Sequence, residues 1–111
     1  MSTIYTISCG LDTPWAADLI TTDDARHLVL KLAAEAFPHG HTIREVTGRW
    51  SDRNSVTITE PTVEAVWVAS DAQVASGEAH ERVSAMAAAY KDQARQEAVM
   101  VTAQQVDAWL V

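Results

Sequence analysis

Glu60 stands in a run of β-branched and apolar residues, directly before Pro61. A carboxylate in such a setting needs a hydrogen-bonding partner, and burial moves its pKa up toward the range useful for general acid or base work. The plainer role is a buried hydrogen bond to a tyrosine or an arginine that fixes the chain at Pro61. A second cluster surrounds Gly40: His39 and His41 flank it, and Arg44 and Arg49 follow on the next segment. A turn of this kind offers backbone N–H groups and two imidazoles to an anion, and the planar guanidinium of Arg44 or Arg49 matches a phosphate. Trp50 either lines a pocket beside Arg49 or serves as packing. His39, His41 and Glu60 would be enough ligands for a metal. No scaffolded spacing such as H-E-x-x-H supports that use, and neither a metal nor another cofactor is expected.

Other reactive chemistry lacks a signature. Cys9 is the single cysteine, which excludes an internal disulfide and a cysteine-based zinc site. It has no basic neighbour to activate it and reads as a small buried residue. No G-x-S-x-G elbow is present. The four glycines, Gly10, Gly40, Gly48 and Gly77, form neither a P-loop nor a dinucleotide fingerprint.

The chain that must position these groups has 111 residues, 48% of them apolar and 21% charged. Those values describe one globular domain and exclude disorder. No apolar stretch reaches the roughly 20 residues of a membrane span, and Met1–Leu11 has neither the basic start nor the apolar core of a signal peptide. A cytoplasmic setting is expected. The net charge of −7 argues against nucleic-acid binding, which depends on basic residues facing phosphates. Positive charge is nevertheless concentrated: between Arg26 and Arg53 lie five basic and three acidic residues, with three of the four histidines. Either this is ordinary surface scatter or it marks a local anion site on a repulsive surface.

Thr3–Cys9 alternates and predicts a first strand; Gly10–Ile20, with its Gly, Pro and Trp15, reads as a loop. Thr21 or Thr22 caps a helix whose first turn holds Asp23 and Asp24. Ala25, Leu28, Val29, Leu32 and Ala36 form its apolar stripe, and Phe37-Pro38-His39-Gly40 ends it. His41–Trp50 predicts a second strand with a bulge at Gly48. After a polar turn at Ser51–Ser55, Val56–Ala69 predicts a third strand with a kink or edge position at Pro61. Ser76 caps a second helix carrying Ala79, Val83, Met86, Ala87, Tyr90 and Ala94 inward. Glu97–Thr102 reads as a fourth strand, and Val106, Trp109 and Leu110 suggest a terminal helical turn.

The order β-α-β-β-α-β is that of a ferredoxin-like α+β fold, with a four-stranded antiparallel sheet and two helices on one face. The third strand has apolar residues of both parities, Val63 and Trp67 against Val66 and Val68. A strand apolar on both sides is normally buried on both sides. The open face is therefore expected to pack on a second copy of the chain, as a homodimer, or on the C-terminal tail.

Phe37-Pro38-x-Gly40-x-Thr42, Gly48-x-Trp50-x-Asp52, Glu60-Pro61-Thr62, and Tyr90-Lys91 followed by Gln96-x-x-Val99 occur in this order across Ile4–Val101. Together they resemble the bacterial domain-of-unknown-function family numbered 3574. The resemblance implies a small α+β fold and brings no established activity. Ala94 departs from the aromatic residue common in the family two positions before the glutamine, and the export or lipoprotein signal frequent among members is not seen. The polar members of the motifs, Glu60, Tyr90 and Gln96, join the candidate site because a fold alone would not demand them.

These observations favour a non-catalytic binding protein, a small homodimer holding an anionic, nucleotide-like molecule. The ligand-binding set is His39, His41, Arg44, Arg49, Trp50, Glu60, Tyr90 and Gln96. One alternative is an acidic inhibitor or adaptor, phage-encoded against a host defence protein, that uses Trp15 and Trp109 as anchors. Another is a cofactor-free enzyme of the dimeric α/β-barrel type, with Glu60 or a histidine as base.

Overall fold

Strict alternation in the first strand decides the layering. In the computed structural model, which describes residues 1–12 and 20–111, β1 (Ser2–Gly10) buries Ile7 and Cys9 on one face and turns Ser8 and Gly10 to the other. Trp15, with the part of the expected loop around it, lies outside the described residues. β1 runs antiparallel to β3 (Thr57–Ala69) on one side and to β4 (Met100–Val106) on the other. β2 (Thr42–Ser51) completes the sheet in the order β2-β3-β1-β4.

Among the described residues three helices cover one face, one more than the sequence pattern suggests. α1 (Thr22–Ala36) starts where expected: the Thr21 hydroxyl accepts from the Asp24 N–H at 3.1 Å. α2 (Asp71–Ala75) is a single extra turn held by a reciprocal capping box between Ser70 and Gln73, a device that lets five residues hold a helical turn. α3 (Glu78–Gln93) is capped by Gly77, at φ 83°, rather than by Ser76; the Ser76 hydroxyl still accepts from the Glu78 N–H at 3.3 Å.

The core lies between helices and sheet. It joins Val29 and Leu32 of α1 and Val83 and Met86 of α3 to Ile7, Val63, Ala65 and Trp67. Trp67 stacks on Phe37 with centroids 4.8 Å apart, and the Arg82 guanidinium lies 5.7 Å from its ring centroid. The helix-ending Phe37 thus also locks α1 to the sheet.

Several local expectations need correction. β2 and β3 pair without interruption from Thr42↔Val66 to Ser51↔Thr57, so Gly48 makes no bulge. Its missing side chain instead admits the Thr62 hydroxyl, which a Cβ there would meet at 2.4 Å. Pro61 sits inside a strand paired on both sides, where the β1–β3 ladder runs out after Gly10↔Thr62; its carbonyl accepts from the Leu11 N–H at 3.0 Å. The fourth strand begins at Met100 rather than Glu97 and extends to Val106. The C-terminal helical turn does not form: residues 107–111 carry no helix, and Trp109 is 78% exposed. Three apolar residues at helical spacing cannot offset helix nucleation without a surface to pack on. The tail does not cover the open face either, since Leu110 and Val111 are also exposed, as are Val46, Val68 and Met100.

Trp67→Ala should cost about 3–5 kcal/mol, because it removes the ring on which Phe37, Tyr5 and Arg82 all rest. Urea unfolding followed by far-UV circular dichroism measures this loss.

Candidate functional site

The face of the sheet turned away from the helices carries a groove with a volume of about 540 Å³ at its Gly10 end. Ser8 and Gly10 of β1, Val46–Ser51 of β2, and Glu60, Thr62 and Glu64 of β3 line it, together with Gln96–Ala98 and Met100 on the way into β4. Two glycines make the room. Gly48 pairs with Glu60 and Gly10 with Thr62, and a Cβ on Gly10 would lie 2.2 Å from Glu60 Oε1. Glycine inside a strand often marks such a close approach.

Glu60 is 5% exposed. Its Oε1 accepts from Trp50 Nε1 at 2.7 Å, and its Oε2 accepts from the Asp12 backbone N–H at 3.0 Å. Burial raises its pKa above the ordinary carboxylate value, and the charge of Asp12 adds to that, while the two hydrogen bonds pull the other way. The expected partner, tyrosine or arginine, is thus an indole and a backbone amide instead.

Tyr90 and Gln96 serve the same stretch of chain. The Tyr90 hydroxyl donates to the Gly10 carbonyl, and Gln96 Nε2 donates to the Asp12 carbonyl at 3.2 Å. With the Leu11–Pro61 bond, three residues of chain are held from β3, α3 and the α3–β4 connection at once. Tyr90 is fully buried, and its phenol pKa is raised, chiefly by burial. Burial also pushes the Cys9 thiol up to about 12, which leaves it a protonated core residue with no nucleophilic use.

The histidine–arginine cluster does not converge. Among the described residues, Arg49 is the one basic residue in the lining. It has the parity of Glu45 and Thr47 rather than that of Trp50. Arg44 forms an ion pair with Glu64 at 3.2 Å, His41 Nδ1 lies 3.0 Å from the Phe37 carbonyl, and His39 is exposed. No group of three His, Cys, Asp or Glu side chains able to hold a metal occurs among the described residues. The structure therefore brings together Trp50, Glu60 and Gln96 with Arg49 at the rim, places Tyr90 behind them, and leaves His39, His41 and Arg44 outside.

Sequence reasoning missed Gly10, Asp12, Thr62, Glu64 and Glu97. Gly48, two residues before Trp50, carries a signal that fits a close approach as well as a bulge. Glu97 matters at the mouth, where it pairs with Arg53 of the β2–β3 turn at 2.9 Å. Chemically, the groove offers an indole, a desolvated carboxylate with spare lone pairs, a hydroxyl and an amide. Such a set suits a ligand with a planar ring and N–H or O–H donors.

This geometry defines a small α+β protein with a helix-covered sheet and a polar groove on its other face. The chain belongs to the family described as protein of unknown function DUF3574, whose model matches residues 5–109. Among solved structures it is similar to a phage SAM lyase in complex with S-methyl-5'-thioadenosine. That similarity has a TM-score of 0.65 and 17% identity, over 94% of this chain and 81% of the other. The likeness establishes the shared fold. No curated protein matches the sequence.

Two outcomes follow. Gly10→Ala should displace the Glu60 carboxylate and lower stability by about 1–3 kcal/mol, measurable by urea unfolding. Because the folded-state pKa of Glu60 is raised, its contribution to stability is complete below the ordinary value of 4.5 and is lost as pH rises through the folded value. Thermal melts should therefore show the stability of the parent relative to Glu60→Gln falling with pH above about 4.5. A relative stability that rises with pH would mean that the hydrogen bonds from Trp50 and Asp12 outweigh burial.

Proposed function

We propose that the protein binds a small nucleoside-like molecule in the groove, with a planar base against Trp50 and donor groups directed at Glu60. The observation that carries this reading is the desolvated Glu60 carboxylate beside an indole, at the floor of a cavity large enough for such a ligand. Pockets for small molecules are commonly concave, with a few convergent polar groups and perturbed pKa values. The solved phage SAM lyase was captured with a nucleoside thioether, which supports the ligand class for this shape of protein and agrees with a phage-related origin for the chain. The ferredoxin-like reading of the topology belongs to the same proposal, since the order β2-β3-β1-β4 puts β1 and β3 at the centre under the groove.

The anionic charge foreseen for the ligand has less support. Arg49 is set against Glu60, Glu64 and Glu97 in the lining, and the last two already engage Arg44 and Arg53. Recognition is therefore assigned to base and ribose rather than to a phosphate. Titration calorimetry with adenosine, S-methyl-5'-thioadenosine and adenosine monophosphate tests this. The two uncharged ligands should bind, the monophosphate should bind no more tightly, and Trp50→Leu should weaken binding about tenfold or more, roughly 1.4 kcal/mol. Absence of binding to all three, with a folded protein confirmed by its thermal melt, overturns the proposal.

A further inference from the structure

β4 is the least protected part of the sheet. Among the described residues it is an edge strand, with no strand beyond it. Every residue from Met100 to Gln105 is exposed, so it is open to solvent on both faces as well as along its outer edge. Natural edge strands are usually blunted by charge, proline, a bulge or a covering element, because their unpaired N–H and C=O groups template another strand. The opposite edge follows this rule: β2 carries Arg44, Glu45 and Arg49. β4, Met-Val-Thr-Ala-Gln-Gln-Val, has no charge and no proline, and its pairing with β1 runs regularly from Ser2↔Val106 to Ser8↔Met100. Beyond Asp107 and Ala108, which follow it, Trp109, Leu110 and Val111 stand fully or largely exposed.

We propose that β4 is a self-association edge, pairing antiparallel with β4 of a second copy to give one continuous eight-stranded sheet. The strand matches itself: paired antiparallel about Ala103, Met100 meets Val106, Val101 meets Gln105 and Thr102 meets Gln104, so no like charges face one another although each chain carries −7. Backbone pairing of this kind supplies affinity without a deep pocket. A two-fold axis near Ala103 sets Val106 of one copy beside Met100 of the other. The tail that follows is then directed along the partner's Glu97–Met100 segment, which borders the groove. The exposed Trp109 thereby gains a surface, and each groove gains a wall from the other copy. This association stands independently of what the groove binds.

Sedimentation velocity of the full chain at about 10–100 µM should show a dimer. Ala103→Lys places two like charges side by side at the axis and should raise the dimer dissociation constant at least tenfold. Val68→Lys, on the open face away from the edge, should leave it within about twofold. Since the native Cys9 is buried, the double variant Ala98→Cys, Ala108→Cys, which the two-fold at Ala103 sets opposite one another, should form an intermolecular disulfide under oxidation. A monomeric parent, a dimer indifferent to Ala103→Lys, a dimer broken instead by Val68→Lys, or a folded double variant that never cross-links would each overturn the proposal.

Discussion

The backbone of Gly10, Leu11 and Asp12 is the point on which the rest of the site depends. Glu60, Tyr90, Gln96 and the Pro61 carbonyl reach it from three parts of the fold, each through one hydrogen bond. Buried polar groups are tolerated when satisfied, and such networks specify one arrangement because every alternative leaves a donor or acceptor bare. No buried side-chain polar atom lacks a partner among the described residues. Glu60, like Gln96, belongs to both the clamp and the groove: one of its oxygens holds the chain and the other meets the indole that forms a wall.

This double duty explains why the polar motif residues are not interchangeable with apolar ones of the same size. Removing Tyr90's hydroxyl or Gln96's amide would leave a partly buried carbonyl without its partner, which costs up to about 1–3 kcal/mol. The same network gives the site its character. A carboxylate whose charge is disfavoured by burial but supported by two donors can accept a further hydrogen bond, and the Gly10 and Gly48 gaps let the Glu60 carboxylate and the Thr62 hydroxyl sit close against the sheet beneath the groove.

Much of the fold was legible because it rests on local rules. The Thr21 cap, the stripe of α1, the alternation of β1 and the hairpin between β2 and β3 all depend on residues close in sequence. The last strand was less legible. Its flanks offer apolar residues from Glu97 to Leu110 with no breaker between them, so only pairing with β1 sets its limits. Glu60 announced itself as a carboxylate in apolar company, yet its partners did not, because a backbone N–H 48 residues away leaves no trace in side-chain pattern. The histidine–arginine cluster misled for a geometric reason: Arg44 and Arg49 have opposite parity in β2, so a regular strand sends them to opposite faces.

Pro61 has a consequence beyond its tolerance in the strand. Leu11 and Pro61 stand in register with the ladder, and a normal residue at 61 would return a donor to the Leu11 carbonyl; proline has none to give. Half of that closing rung is therefore missing, and the first strand is released from its neighbour at that level. Two residues past the last full rung, at Asp12, the backbone donates to the Glu60 side chain instead of to the neighbouring strand. The ladder thus ends on a half-rung that the covalent structure of one imino acid leaves unfinished, and a side chain takes over where backbone pairing stops.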